Sequence, residues 1–393
     1  MKLSLVAALL PLAACGRTGF DVVPDAPPAV LACASVPQVQ LPPGTQFLSA
    51  TATATGYAMF ATDANHQVSG IPVSLSDADP SHTPIVGATV PAVAQQALGQ
   101  IGAFASGDDL ELAVPYHEGP FDPSAPPPAQ GTRLVPLTAQ LAPRGAASVL
   151  GGWFGERGAV AYNSHGVAVN VLEQADHTIA ASTAASAGAA WSAPTELIPA
   201  TAKADMPMIV AADDQFLVSW LSSDGNLFAQ VFDADPVNGL KPTSLSATLI
   251  SQITDKSVQA APRVAYGHGM FLFVWYTKPS NDVAWYSLRS KSLQVIREDK
   301  VTLADANHPV VAAGDQDFLV AWSGGDGVGA ARIGFDGTAT QVKIVNAGGV
   351  PLTTSWNVVS HNGQPALIWA EQTQNNTIAW INPACVPGAA AAP

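Results

Sequence analysis

Acidic and histidine side chains in the turns that follow short apolar segments are the residues of this chain that could do chemistry. Carboxylates and imidazoles on rigidly held loops can bind polar ligands, and two carboxyl groups about 5–10 Å apart can hydrolyse a glycosidic bond. Hairpin turns also favour Asp and Asn for their backbone conformation alone, so a purely structural role is equally open for each residue. The candidates are Asp63, His117, Glu118, Asp122, Asp224, Asp282, Asp326 and Glu371.

Sequence motifs of known catalytic chemistry do not occur in the chain. There is no Gly-rich phosphate loop, no HExxH or CxxC pattern and no Gly-x-Ser-x-Gly elbow, and the eight histidines are never four residues apart. The sequence therefore predicts no metal site and no cofactor. Three hypotheses stay open: a non-catalytic binding module, a purely structural component, and a glycoside hydrolase that uses Glu118 with Asp63 or Asp122.

The thiol of Cys15 follows a short apolar segment at the N-terminus. Residues 3 to 14 carry no charge after Met-Lys, which is the layout of a secretory signal and is too short to span a membrane. The motif LAACG, residues 12 to 16, resembles the lipobox of bacterial lipoproteins. The resemblance implies cleavage before Cys15 and lipidation there, and Gly16 in place of Asp favours the outer membrane. We expect a signal peptide over 1–14 and a lipid-anchored tether over 15–32.

A strand–turn–strand–turn–strand unit recurs along the rest of the chain. Clear copies begin at Pro207, Pro262 and Pro309, and in each the second strand ends in Trp. The period of about 47 residues is typical of propeller blades. We expect the large residue of each copy to pack between neighbouring sheets, although a sugar-binding stripe is the alternative. With weaker copies included, the aromatic residues are Phe60, Tyr116, Tyr162, Trp220, Trp275, Trp322 and Trp369.

These repeats predict an all-β fold, a seven-bladed β-propeller of four-stranded antiparallel blades over residues 33–386, followed by a disordered tail over 387–393. The last copy is one strand short, and residues 36–41 have no evident partner, so we expect the N-terminal strand to complete the last blade and close the ring. The unit is similar to the propeller repeats of uncharacterised lipoproteins of Gram-negative bacteria, a resemblance that implies fold and compartment and no activity. Residues 186–192 resemble one degenerate Asp-box turn of sialidase-like propellers.

Two further cysteines, Cys33 and Cys385, flank the predicted propeller. An even pair in an oxidising compartment is expected to form a disulfide, and completion of the last blade by the N-terminal strand would bring the two ends together. Two unrelated buried thiols are the alternative.

Composition limits the partners of the mature protein. Without the signal it has 15 basic and 30 acidic residues, a net charge near −15. Such a chain repels phosphate backbones, which excludes nucleic acid as an expected partner and leaves membrane attachment to the lipid. The sequence predicts a monomeric, outer-membrane-anchored propeller that binds an envelope protein or glycan without catalysis, with the sialidase-like hydrolase as the alternative.

Overall fold

The structure is a computed structural model of the full chain. It describes residues 38–75, 85–93, 101–106, 109–117, 130–151, 159–174, 176–235, 239–252, 262–277, 283–301, 307–324, 327–342, 350–372 and 377–383. Cys15, Cys33 and Cys385, and with them the signal, tether and tail, lie outside these residues. Glu118, Asp122, Asp282 and Asp326 also lie outside them.

The described residues form thirty strands in seven antiparallel sheets. The sheets are numbered here along the chain from β2, so the sheet that contains both β1 and β28 comes last. Sheet 1 contains β2 (Phe47–Thr53), β3 (Gly56–Thr62), β4 (Val68–Ser74), β5 (Ile85–Val86) and β6 (Val90–Val93). Sheet 2 contains β7 (Gly102–Ser106), β8 (Asp109–His117), β9 (Gln130–Thr138) and β10 (Ser148–Gly151). Sheet 3 contains β11 (Ala159–Tyr162), β12 (Ala168–Glu173), β13 (Ile179–Ala184) and β14 (Thr195–Ile198).

The remaining sheets follow a short 3₁₀ helix, Ala200–Ala202. Sheet 4 contains β15 (Ala204–Ala212), β16 (Gln215–Ser222), β17 (Asn226–Asp235), β18 (Gly239–Pro242) and β19 (Thr248–Gln252). Sheet 5 contains β20 (Arg263–Gly267), β21 (Met270–Thr277), β22 (Val283–Ser290) and β23 (Val295–Lys300). Sheet 6 contains β24 (Asn307–Ala313), β25 (Asp317–Gly324), β26 (Gly327–Gly334) and β27 (Ala339–Val342). Sheet 7 contains β28 (Val350–His361), β29 (Gln364–Gln372), β30 (Thr377–Pro383) and, from the other end of the chain, β1 (Gln38–Gln40).

The sheets follow one another in a ring, and the fold is a β-propeller. The first strand of each sheet contacts the first strand of the next, and β28 of the last sheet contacts β2 of the first. The contacting pairs are β2–β7, β7–β11, β11–β15, β15–β20, β20–β24, β24–β28 and β28–β2.

The apolar core is divided among the spaces between neighbouring sheets, which we call seams. Each seam contains its own cluster of buried side chains drawn from the two sheets that face each other. The prediction that one large residue per repeat packs between sheets is confirmed at five positions, each no more than 8% exposed. They are Phe60, Trp220, Trp275, Trp322 and Trp369.

The prediction of a seven-bladed propeller of four-stranded blades, closed by the N-terminal strand, is wrong, because the described residues form six blades of consecutive strands. Two of these six have five strands. The fifth strands arise because β4 and β17 each pair with two short strands, β5 with β6 and β18 with β19. The seventh sheet is composite: β1 pairs with β30, with Val39 opposite Ala379. Every described sheet is an open row of strands, so packing across the seams, and not a closed sheet, joins the ring.

Sheet 3 also departs from the predicted repeat by one strand. Tyr162, expected at the end of a second strand, ends β11, which is the first strand of its sheet. The second strand is β12, and it ends at Glu173. The sequence did not show this shift, because the aromatic residue at 162 imitates the repeat.

Antiparallel order places the loops of the ring on two opposite faces. The turns between second and third strands lie at the same end of each sheet as the connections to the next sheet, and we call this end the connector face. The turns between first and second strands, and between third and fourth strands, lie at the other end, the hairpin face. Asp63 and Asp224 lie on the connector face, and His117 ends β8 there.

Candidate functional site

Of the eight predicted site residues, Asp63 and Asp224 are the ones whose surroundings on the connector face are described. Oδ1 of Asp63 accepts hydrogen bonds from the backbone N–H groups of Asn65 at 2.8 Å and Gln67 at 2.9 Å. This carboxylate therefore shapes its own turn. Asp224 lies in the exposed turn between β16 and β17, where Gly225 has a φ of 77°. Its carboxylate is accessible to a partner.

Glu371 belongs to the core and not to a binding face. The residue is 1% exposed, and its Oε1 accepts a hydrogen bond from Nε1 of Trp369 at 3.0 Å. Residues two apart in a strand share a face, so Glu371 points into the same seam as Trp369. Its place near the end of β29 suggested an exposed turn, but β29 continues to Gln372.

Two carboxyl groups meet on the connector face between sheets 3 and 4. Glu173 is the last residue of β12, and Asp205 is the second residue of β15. The two side chains are hydrogen-bonded to each other. Nδ1 of His177 lies 3.3 Å from Oε1 of Glu173, and the backbone N–H of Met206 donates to Oε2 at 3.4 Å. This group joins the edges of two neighbouring sheets.

The Glu173 carboxyl retains its proton to near neutral pH. Burial, followed by the hydrogen bond to Asp205 and the charge of Asp205, raises the pKa of Glu173 to about 7. The N–H of Met206 and the His177 side chain act in the opposite direction. A carboxyl group that shares a proton with a neighbouring carboxylate can both donate and accept hydrogen bonds.

The local backbone brings this group together. The register of β15 shifts between Asp205 and Met208, and Met206 has a φ of 51°. A left-handed conformation immediately before a proline, here Pro207, is rare and costs on the order of 1–3 kcal/mol. This register shift turns the N–H of Met206 away from the hydrogen bonds between β15 and β16 and toward Glu173.

The side chains of this group differ in solvent exposure, and the difference suits the binding of a ligand. The Glu173 side chain is 12% exposed, whereas the His177 side chain is 58% exposed at the tip of the turn between β12 and β13. An incoming polar group can therefore reach the imidazole first and the carboxyl pair behind it.

Sequence reasoning missed Glu173, His177 and Asp205 because of the one-strand shift in sheet 3. If Tyr162 ended a second strand, the turn that contains Asn163 and His165 would lie on the connector face. It lies on the hairpin face, since it joins β11 to β12. The apolar segment after Val167, which ends in an acidic residue, was the signal that could have located the true turn.

A second polar group lies in the seam between sheets 2 and 3. Tyr162 donates its hydroxyl to Oε2 of Glu111, and Nε1 of Trp191 donates to Oε1 at 3.3 Å. Burial raises the pKa of Glu111, while these hydrogen bonds act to lower it. Glu111 is 2% exposed and fully engaged, so the group ties two sheets together rather than offering a binding site.

Neither a cluster of metal-ligating side chains nor a membrane-spanning helix occurs in the part of the chain that the structure describes. Within it, no group of three or more His, Cys, Asp or Glu side chains is placed to hold a metal ion. Within the same residues, no helix is long and apolar enough to cross a membrane.

Comparison with known proteins adds a distant similarity of fold. No protein-family model and no curated protein matches the chain. Among solved structures, the chain is similar to the sialidase of Trypanosoma rangeli in complex with the inhibitor DANA, with a TM-score of 0.43 and 10% identity over 89% of this chain and 60% of that one. The chain thus spans less than two thirds of that sialidase, and a similarity this distant carries no argument about function.

Proposed function

We propose that this chain is a lipid-anchored envelope protein whose propeller binds a protein or glycan partner on the connector face, without catalysis. The observation that carries the proposal is the Glu173–Asp205 pair with His177. These side chains present a hydrogen-bond donor and acceptors at one accessible point of a rigid ring. Sugar hydroxyls and peptide amides are the uncharged groups that match such a set.

The anchor in this proposal rests on the lipobox-like motif at Cys15. Two or more acyl chains hold a protein stably at a bilayer, and the net negative charge gives no help in adsorption to anionic lipid. The tether over 15–32 would let the propeller meet partners at some distance from the membrane. A Cys15→Ser variant should accumulate as unprocessed precursor, whereas recovery of the wild type as a water-soluble protein would contradict the anchor.

The described carboxyl pair does not favour the hydrolase hypothesis. Retaining glycosidases separate their two carboxyl groups by about 5–5.5 Å, and inverting enzymes separate them by more. Glu173 and Asp205 are hydrogen-bonded directly, which leaves no room for a sugar carbon or a water between them.

Capture of partners by variants of the purified mature propeller tests the proposal. Wild type, Glu173→Ala and His177→Ala are compared with Glu196→Ala, an exposed residue on the outer strand β14, using envelope extracts and a glycan array as probes. Losing a hydrogen bond to a charged or shared-proton group costs about 1.5–3 kcal/mol, or roughly 10- to 100-fold in affinity. We expect that loss at Glu173 and a smaller one at His177.

Because His177 is mostly exposed, His177→Ala still tests the site if Glu173→Ala fails to fold. A thermal melt of each variant shows whether it is folded. If both folded variants retain every partner of the wild type at unchanged affinity, the connector-face site is wrong.

A further inference from the structure

The seam between sheets 2 and 3 contains buried polar atoms with no hydrogen-bond partner among the described residues. They are Nδ2 and Oδ1 of Asn170, Oγ of Ser182 and Oγ1 of Thr132. All three residues are 0% exposed. Buried polar groups in folded proteins are almost always paired with protein or with ordered water, so four such atoms together require an explanation.

Register places all three side chains in the same seam. Asn170 lies opposite Ser182 and also opposite Val160, and these residues share one face of sheet 3. Thr132 lies opposite Leu150 on the face of sheet 2 that packs against Val160. The three side chains therefore face the seam from both of its walls.

The fully buried side chains of this seam are also smaller than those of the neighbouring seams. In sheets 4 and 6, the second-strand residues that face the preceding sheet are Phe216, Val218 and Trp220, and Phe318, Val320 and Trp322. In sheet 3, the corresponding face of β12 carries Ala168, Asn170 and Leu172. Among the described residues, the fully buried members of this cluster include no aromatic ring, and the aromatic residues Phe104, Tyr162 and Trp191 that pack against it are partly exposed. Each of the other six clusters contains at least one fully buried aromatic ring.

We propose that the seam between sheets 2 and 3 is an internal water-binding site formed by Asn170, Ser182 and Thr132. The amide offers two donors and an acceptor, and each hydroxyl offers one donor and acceptors, which is the set that a small cluster of waters can satisfy. Buried waters typically make about three hydrogen bonds to such groups. Full enclosure of the three residues favours water over a larger ligand.

The site makes this seam different in kind from the others in the ring. Each of the other seams contains a buried aromatic ring, whereas this seam encloses Asn170, Ser182 and Thr132. The nearby hydrogen bonds of Glu111 with Tyr162 and Trp191 lie in the same seam and bridge its walls directly.

A crystal structure at about 1.5 Å of the mature protein and of Asn170→Val tests the proposal. We expect discrete water peaks within hydrogen-bond distance of Asn170 and of Ser182 or Thr132 in the wild type. In Asn170→Val these water peaks should be lost. The melting temperature should not rise, because the Asn170 amide that is removed was already hydrogen-bonded to water. Val218→Asn is the matched control in sheet 4, where aromatic rings leave no room for water, and its melting temperature should fall by several degrees.

Three results would overturn the proposal. The first is an electron-density map without water near Asn170, together with a higher melting temperature in Asn170→Val. The second is direct hydrogen bonding among the three side chains without water, and the third is continuous density of an organic molecule in the seam.

Discussion

At the scale of single residues, the Glu173 carboxyl differs most from what its position in the sequence suggests, both in its partners and in its raised pKa. An acidic residue at the end of a strand is ordinarily a solvated turn residue. Here a register shift in β15 brings Asp205 and the N–H of Met206 against it, and the strained φ of Met206 maintains that approach. The chemistry depends on two strands that are 30 residues apart in the chain, which no local pattern reports.

The raised pKa of Glu173 predicts how stability depends on pH. The folded protein holds this proton to about pH 7, whereas the unfolded chain releases it near 4.5. The contribution of Glu173 to the free energy of unfolding is therefore fully present below about pH 4.5 and is lost as pH rises through about 7. With allowance for solvent screening, we expect a loss on the order of 1–2 kcal/mol.

Denaturant titrations between pH 4.5 and 8 measure this loss. Glu173→Gln keeps a neutral side chain at every pH, so the difference in unfolding free energy between wild type and variant should shrink or reverse across that range. Glu196→Gln should follow the wild type. A constant difference between wild type and Glu173→Gln from pH 4.5 to 8 would show that Glu173 has an ordinary pKa.

At the scale of strands and sheets, the indole of Trp322 is accommodated by a glycine on the neighbouring strand. Gly329 of β26 lies opposite Trp322 of β25, and a Cβ added at Gly329 would lie 2.5 Å from Cε2 of the indole. The indole is 8% exposed in the seam between sheets 5 and 6, so it has little freedom to move aside.

A Gly329→Ala substitution is therefore expected to destabilise the protein by overpacking. The expected loss in unfolding free energy is about 1–3 kcal/mol, measured by chemical denaturation. Gly145→Ala is the matched control, because the nearest atom to its added Cβ is Cγ of Pro136 at 3.8 Å. Equal stability of the two variants would mean that Trp322 does not pack against Gly329 as described.

Predictability from sequence also differs by element. The period and the Trp residue two positions before the end of the second strand in sheets 4, 5 and 6 were sufficient to identify a propeller. Alternation of residues between the two faces of a strand and polar turns are local signals. Sheet 3 was misassigned by one strand because its second strand carries Asn170 and Leu172 where the repeat has apolar and aromatic residues. The Glu173–Asp205 pair was therefore not predicted from the sequence. The fifth strands of sheets 1 and 4 depend on pairings between short segments that carry no pattern of their own.

At the scale of the whole molecule, the two ends of the described chain meet in sheet 7. Val39 of β1 and Leu41 just after it are buried, and they pack with Ile368 and Ala370 of β29 in the seam between sheets 7 and 1. Cys33 lies five residues before β1, and Cys385 lies two residues after β30. We propose that these cysteines form a disulfide that fastens the chain ends.

The proposed disulfide would close a loop of about 350 residues, and loss of chain entropy in the unfolded state would then stabilise the protein by up to about 5 kcal/mol. Cys385→Ser should lower the melting temperature of the exported protein, and reduction should add the mass of two protons to the wild type. Two titratable thiols in the native, non-reduced protein would contradict the pairing.

Site-specific photo-crosslinking in the native envelope tests the central claim, that the partner binds on the connector face. Asp224 and Asp336 provide matched positions, since each is an exposed Asp that precedes a glycine of positive φ in a turn. Asp224 lies on the connector face between β16 and β17, and Asp336 lies on the hairpin face between β26 and β27. With a photo-reactive residue at each position in turn, the account predicts crosslinked partner at 224 and none at 336. Crosslinks at 336 with none at 224 would contradict it.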